Sequence, residues 1–151
     1  MEREYTKEVL SVSDHIEVKI GNNLISKFFK DITDVDNMTV EPEGKSVNIV
    51  ITGKLMGMLK IPVSVRLALS KVQESPDDPI IFEIKTNKLV MNIIKGYSSK
   101  SFEIKDGKLY VFPSKMFSLL KRFVIFDLNF EGDFVSLSLK PVQNSMSDST
   151  Q

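Results

Sequence analysis

The chain has no cysteine, no tryptophan and a single histidine among its 151 residues. Without cysteine there is no disulfide framework, no thiolate zinc site and no thiol nucleophile, and one histidine excludes a multi-histidine metal centre. An excess of one charge is missing too, since 20 basic side chains balance 20 acidic ones. No global field draws in nucleic acid or an anionic membrane, so such a partner would need a local patch. No stretch reaches the roughly 20 apolar residues of a membrane span. The first eight residues, Met-Glu-Arg-Glu-Tyr-Thr-Lys-Glu, are charged where a secretory leader needs an apolar run, which predicts a cytoplasmic protein.

Catalytic signatures are lacking as well. His15 stands beside Asp14 but has no serine nucleophile elbow to serve, and Gly53-Lys54 and Gly107-Lys108 open no helix that would cradle phosphate. Asp34-Val35-Asp36-Asn37 begins like a calcium loop, yet it misses the glycine two places after Asn37 and the closing glutamate. The acidic pairs Asp34 with Asp36, Glu41 with Glu43 and Asp77 with Asp78 read as solvated loop carboxylates. The expectation is a protein without catalysis, metal or cofactor.

What is present is strict alternation. Ile61, Val63, Val65, Leu67 and Leu69 alternate with Pro62, Ser64, Arg66 and Ala68, the pattern of a half-buried strand. The same odd-numbered apolar set runs upstream through Val47, Ile49, Ile51, Gly53, Leu55, Gly57 and Leu59. A hairpin joining 46–53 with 59–71 therefore needs an odd loop, for instance three residues centred on Met56. Its tip, Leu55, Met56, Met58 and Leu59 around Gly57, is apolar and bracketed by Lys54 and Lys60, which would suit shallow contact with a lipid headgroup boundary.

The rest of the chain continues this theme. Residues 16–20 alternate like a strand ending at Gly21, although Val9, Val12, Ile16 and Ile20 also fit a helical stripe. Leu24, Ile25, Phe28, Phe29 and Ile32 then recur at helical spacing behind Asn22 or Asn23 as N-cap, predicting an amphipathic helix over 22–32. A polar connector over 31–37 leads to a strand around 38–40. After the Ser-Pro-Asp-Asp-Pro turn at 75–79, Ile80, Phe82 and Ile84 resume the alternation. Leu89, Met91 and Ile93 shift it to odd numbers, with Val90 and Ile94 making the segment apolar on both faces. Asp106-Gly107 is a two-residue type I′ hairpin signal that sets Phe102 opposite Val111 and Ile104 opposite Leu109. Pro113-Ser114 starts a second helix over 114–122, with Met116, Phe117 and Leu120 on one face. Turning at Gly132-Asp133, the last hairpin pairs Phe130 with Val135 and Leu128 with Leu137. The length suits one domain over 1–142, burying roughly two-thirds of its extended surface, with a disordered polar tail over 143–151.

Ten phenylalanines and seven methionines supply large, soft apolar side chains. They either fill an ordinary core or line a groove that two helices and a sheet fail to close, a groove able to hold an acyl chain. Lys95, Lys100, Lys105 and Lys108 near Tyr97 and Phe102 combine charge with stacking surface as a single-stranded nucleic acid site would, but lysines on a loop and hairpin also keep strand edges soluble.

An early amphipathic helix, a glycine-punctuated apolar hairpin over 47–69, a long meander, then Phe102-Glu-Ile-Lys-Asp-Gly-Lys-Leu-Tyr-Val-Phe-Pro113 leading into a short helix and a final hairpin: this order resembles the LmeA-like phospholipid-binding family. More broadly it is similar to the tubular lipid-binding (TULIP) superfamily, over about residues 16–142 and by element order alone. The resemblance implies a curved sheet around a helix and a phospholipid or other long-chain amphiphile as ligand. The expected fold is thus α+β, a strongly curved antiparallel sheet of about seven to nine strands packed on two amphipathic helices. Leu24, Phe28, Phe29, Met91, Phe117 and Leu120 are the candidate ligand-binding residues, and Leu55, Met56, Met58 and Leu59 the candidate membrane contacts. The alternatives are a protein-interaction scaffold with a filled core, such as a homodimer, and single-stranded nucleic acid binding.

Overall fold

The computed structural model describes residues 15–21, 23, 33–55 and 62–142. Its strands, in chain order, are β1 (Ile16–Gly21), β2 (Thr33–Glu43), β3 (Ser46–Leu55), β4 (Val63–Lys71), β5 (Ile80–Lys85), β6 (Phe102–Lys105), β7 (Lys108–Val111), β8 (Phe123–Glu131) and β9 (Phe134–Pro141). Helix α1 (Lys88–Ile94) follows β5, and helix α2 (Pro113–Met116) with a 3-10 turn (Ser118–Arg122) separates β7 from β8. The α+β, all-antiparallel character expected from alternation holds.

The single strongly curved sheet does not. The strands form two sheets, one in the order β2-β3-β4-β5-β7-β6 and one in the order β1-β9-β8, and the sheet is neither strongly curled nor closed. The meander breaks after β5, where α1 intervenes and β7 rather than β6 pairs with β5, and the six-stranded sheet ends before Pro113, which has no N–H for a ladder and starts the short helix. After that break the chain builds a new sheet in which the first strand pairs with the last, Val18 facing Leu137.

Local registers follow the apolar patterning closely. Val47, Ile49 and Ile51 face Leu67, Val65 and Val63 across β3 and β4, and all six are buried. Each contributes roughly 1.5–3 kcal/mol of burial, so parity is energetically enforced: a slip of one residue would turn the set to solvent. Ile51 pairs with Val63, both odd-numbered, so the parity expected of this hairpin is kept in the described residues. Around Asp106-Gly107 the pairs Phe102–Val111 and Ile104–Leu109 form, both turn residues having positive φ, 55° and 75°. Phe130–Val135 and Leu128–Leu137 likewise pair in the last hairpin.

Three segments differ from expectation. Residues 33–37 of the segment read as a polar connector belong to β2, which runs from Thr33 through a register shift between Val35 and Asn37. Residues 89–93, read as alternating, are in α1: the Asn87 side chain accepts from the Val90 N–H at 2.8 Å, and Val90 and Ile94, four apart, are the buried pair. Capping and spacing win over a short alternation because only one face finds a core. The helix expected over 114–122 is interrupted at Phe117, whose φ of −134° and ψ of 115° are extended. Apart from Asn23, the helix predicted over 22–32 lies outside the described residues, as do residues 56–61 of the tip and the tail from 143.

Candidate ligand cavity

The two sheets are joined along β8 at two places. At one end, the Phe130 N–H donates to the Gly44 carbonyl at 2.7 Å, and Lys45 Nζ contacts the Asp127 carboxylate and donates to the Leu128 carbonyl at 3.1 Å. Gly44 has φ of +72°, which lets the β2–β3 turn bend toward β8. The hydrogen bond from the Lys45 ammonium holds the Asp127 carboxyl below its ordinary value, burial working against it and the Leu128 N–H adding to the lowering. Further along, buried Gln73 connects the β4–β5 turn to Ile125 through both its backbone and its side chain.

Between these joints lies a partly open cavity of about 120 Å³. Its wall comes from both sheets and from the strap between them: Ile20 of β1, Leu67 of β4, Ile80 and Phe82 of β5, Phe102 of β6, Leu109 and Val111 of β7, then Pro113, Met116, Phe117 and Leu120, and finally residues of β8 and β9 including Phe130 and Val135. All sixteen lining residues are apolar. The Phe82 and Phe130 rings meet at 6.0 Å between centroids, one from each sheet. Among the described residues no titratable group lines the wall, so these side chains can desolvate an apolar body.

Of the residues singled out by sequence, Phe117 and Leu120 lie on this wall. Met91 is half-buried against the core from α1 and is not a wall residue. Leu24, Phe28 and Phe29, and Met56, Met58 and Leu59 of the tip, lie outside the described residues; Leu55 ends β3. Most of the wall, including Phe82, Phe102, Phe130 and Val135, was not singled out, because these positions carry the same alternation as core positions.

The remaining chemistry-bearing candidates are dispersed. His15 is exposed and edge-on to Phe126. Glu43 pairs with Arg66 at 2.9 Å, Glu41 accepts from Asn48 at 3.2 Å, and Asp78 accepts from the Glu74 and Ser75 N–H groups. Among the described residues no three acidic or histidine side chains gather as a metal site. Tyr97 and Phe102, the rings of the lysine-rich stretch, pack against the core, and Lys105 and Lys108 face each other across the hairpin. Among the described residues no helix is long and apolar enough to cross a membrane.

The fold and cavity define a class: an antiparallel α+β protein with an apolar pocket between two sheets. Beyond that class, the chain matches no protein-family model, no curated protein and no solved structure.

Proposed function

We propose that this protein binds the apolar end of an amphiphilic ligand, such as a lipid, in the cavity between its sheets. The observation that carries this reading is the partly open wall, apolar throughout among the described residues. An apolar cavity of roughly 150 Å³ stays dry and admits a benzene-sized body. At about 120 Å³ this one suits a ring or a short length of acyl chain, not a whole lipid. Its opening lets the polar remainder stay in water. Roughly four methylenes at about 0.8 kcal/mol each would contribute about 3 kcal/mol, so binding is modest and tolerant of headgroup. The candidate wall residues are Phe117 and Leu120, to which Phe82, Phe102, Phe130 and Val135 are added.

Native mass spectrometry of protein purified without detergent, followed by organic extraction, tests this. Because about 3 kcal/mol corresponds to millimolar affinity, a lipid adduct at one per chain is expected once phospholipid is supplied in excess, and Val135→Phe, which puts a ring into the cavity from a half-buried position, should abolish it while leaving the fold intact. A clean apo mass that persists after incubation with phospholipid would overturn the reading and leave the cavity as imperfect packing.

A further inference from the structure

The strap over 113–122 has two sides with different characters. Met116, Phe117 and Leu120 line the cavity, while Leu119 is 65% exposed and Phe117 43% exposed. Ile16, Leu89 and Phe134 are the other large apolar side chains exposed among the described residues; Phe117 and Leu119 stand apart from them because they lie two residues from each other on one strap. The charges within the strap are of one sign. Lys115, Lys121 and Arg122 are exposed, and the sequence Pro-Ser-Lys-Met-Phe-Ser-Leu-Leu-Lys-Arg contains no acid. Among the described residues no carboxylate pairs with these three cations; Lys115 lies over the Phe112 ring at 4.5 Å. In a chain with no net charge, this is the local positive patch that an anionic surface requires.

We infer that the strap docks the protein on an anionic lipid surface, with Leu119 and Phe117 inserted at the headgroup boundary and Lys115, Lys121 and Arg122 against the phosphates. The chemistry fits a membrane better than a folded partner because apolar side chains flanked by basic ones are matched at once by acyl chains and anionic headgroups. Docking here sets the strap, and with it the cavity wall formed by Met116, Phe117 and Leu120, at the bilayer. The inference rests on the ligand reading above in one respect: it supplies the route by which an acyl chain would enter from the membrane.

The test uses the full chain and sedimentation with two vesicle preparations, phosphatidylcholine alone and phosphatidylcholine containing about one quarter phosphatidylglycerol. Binding to the anionic vesicles alone is expected, and it should weaken as salt rises. Leu119→Glu should weaken it about tenfold or more, and Lys121→Ser with Arg122→Ser about fivefold per residue removed. Leu119→Trp places the sole tryptophan of the chain at the strap, and its emission should shift blue on anionic vesicles and be quenched by brominated lipid. Equal sedimentation with both vesicle types, binding unchanged in both charge variants, or no tryptophan shift would overturn the inference. A protein that carries a lipid adduct yet ignores anionic vesicles refutes the docking surface alone, whereas vesicle docking with a clean apo mass supports it and refutes only the cavity reading.

Discussion

Gln73 and Ile125 form a two-point clasp between the sheets: the Gln73 backbone N–H donates to the Ile125 carbonyl at 3.0 Å, and the Ile125 N–H donates to the Gln73 side-chain oxygen at 2.8 Å. The β8–β9 register shifts between Ile125 and Asp127, so the bulge turns Ile125 toward Gln73. The Gln73 side-chain N–H groups are also used, donating to the Pro76 and Asp78 carbonyls at 3.1 and 2.8 Å. A glutamine that is 4% exposed is therefore fully bonded.

Replacing Gln73 with methionine keeps the bulk and strands the Ile125 N–H and two turn carbonyls. The expected loss is about 1–3 kcal/mol, visible as a lower urea midpoint with unchanged slope. A variant as stable as the parent would show that water takes over these bonds.

The Lys45–Asp127 contact gives the protein a pH signature. Because folding lowers the Asp127 pKa, the pair stabilises fully above the unfolded value of about 3.9 and its contribution fades as pH falls through the folded value. Both side chains are partly exposed, 52% and 42%, so solvent screening limits the effect. Asp127→Asn should cost about 0.2–1 kcal/mol at neutral pH and nothing near the acid end of the range. Thermal melts of the two proteins across pH check this, the gap between them closing below about pH 4.

Lys105 and Lys108 sit directly opposite each other beside the Asp106-Gly107 turn. Like charges in facing positions oppose pairing, whereas Lys108 also faces Glu83 of β5, so Lys105→Glu on the edge strand should stabilise the protein by several tenths of a kcal/mol, an effect that salt erodes. Equilibrium unfolding at low and high ionic strength reads both.

Asn87→Ala removes the N-cap of α1 and should cost about 1 kcal/mol. Since Val90 and Ile94 still bury, amide hydrogen exchange should speed up in the first turn of the helix before the rest of the core loosens.

Nearest-neighbour structure was legible wherever one residue's choice is tested by its partner across a turn. Phe102 with Val111, Phe130 with Val135 and the odd-numbered face of β3 and β4 all follow from alternation and turn chemistry, because a period of two admits only one buried register. Cavity and core looked alike in the sequence. Phe82 reads as any inward strand position, and nothing local says that the space beyond its ring is unfilled.

By itself the amino-acid sequence determined the antiparallel hairpins, their registers and the absence of thiol and multi-histidine chemistry, since these depend on residue types and short spacings. Only the tertiary structure decided that the strands divide into two sheets, that Ile16–Gly21 closes on the last strand, that Gln73 clasps Ile125, and that Leu120 and Leu119 of one strap differ in exposure. Those outcomes turn on contacts between residues far apart in the chain, where the space left between packed faces depends on the shapes of both and is written in neither alone.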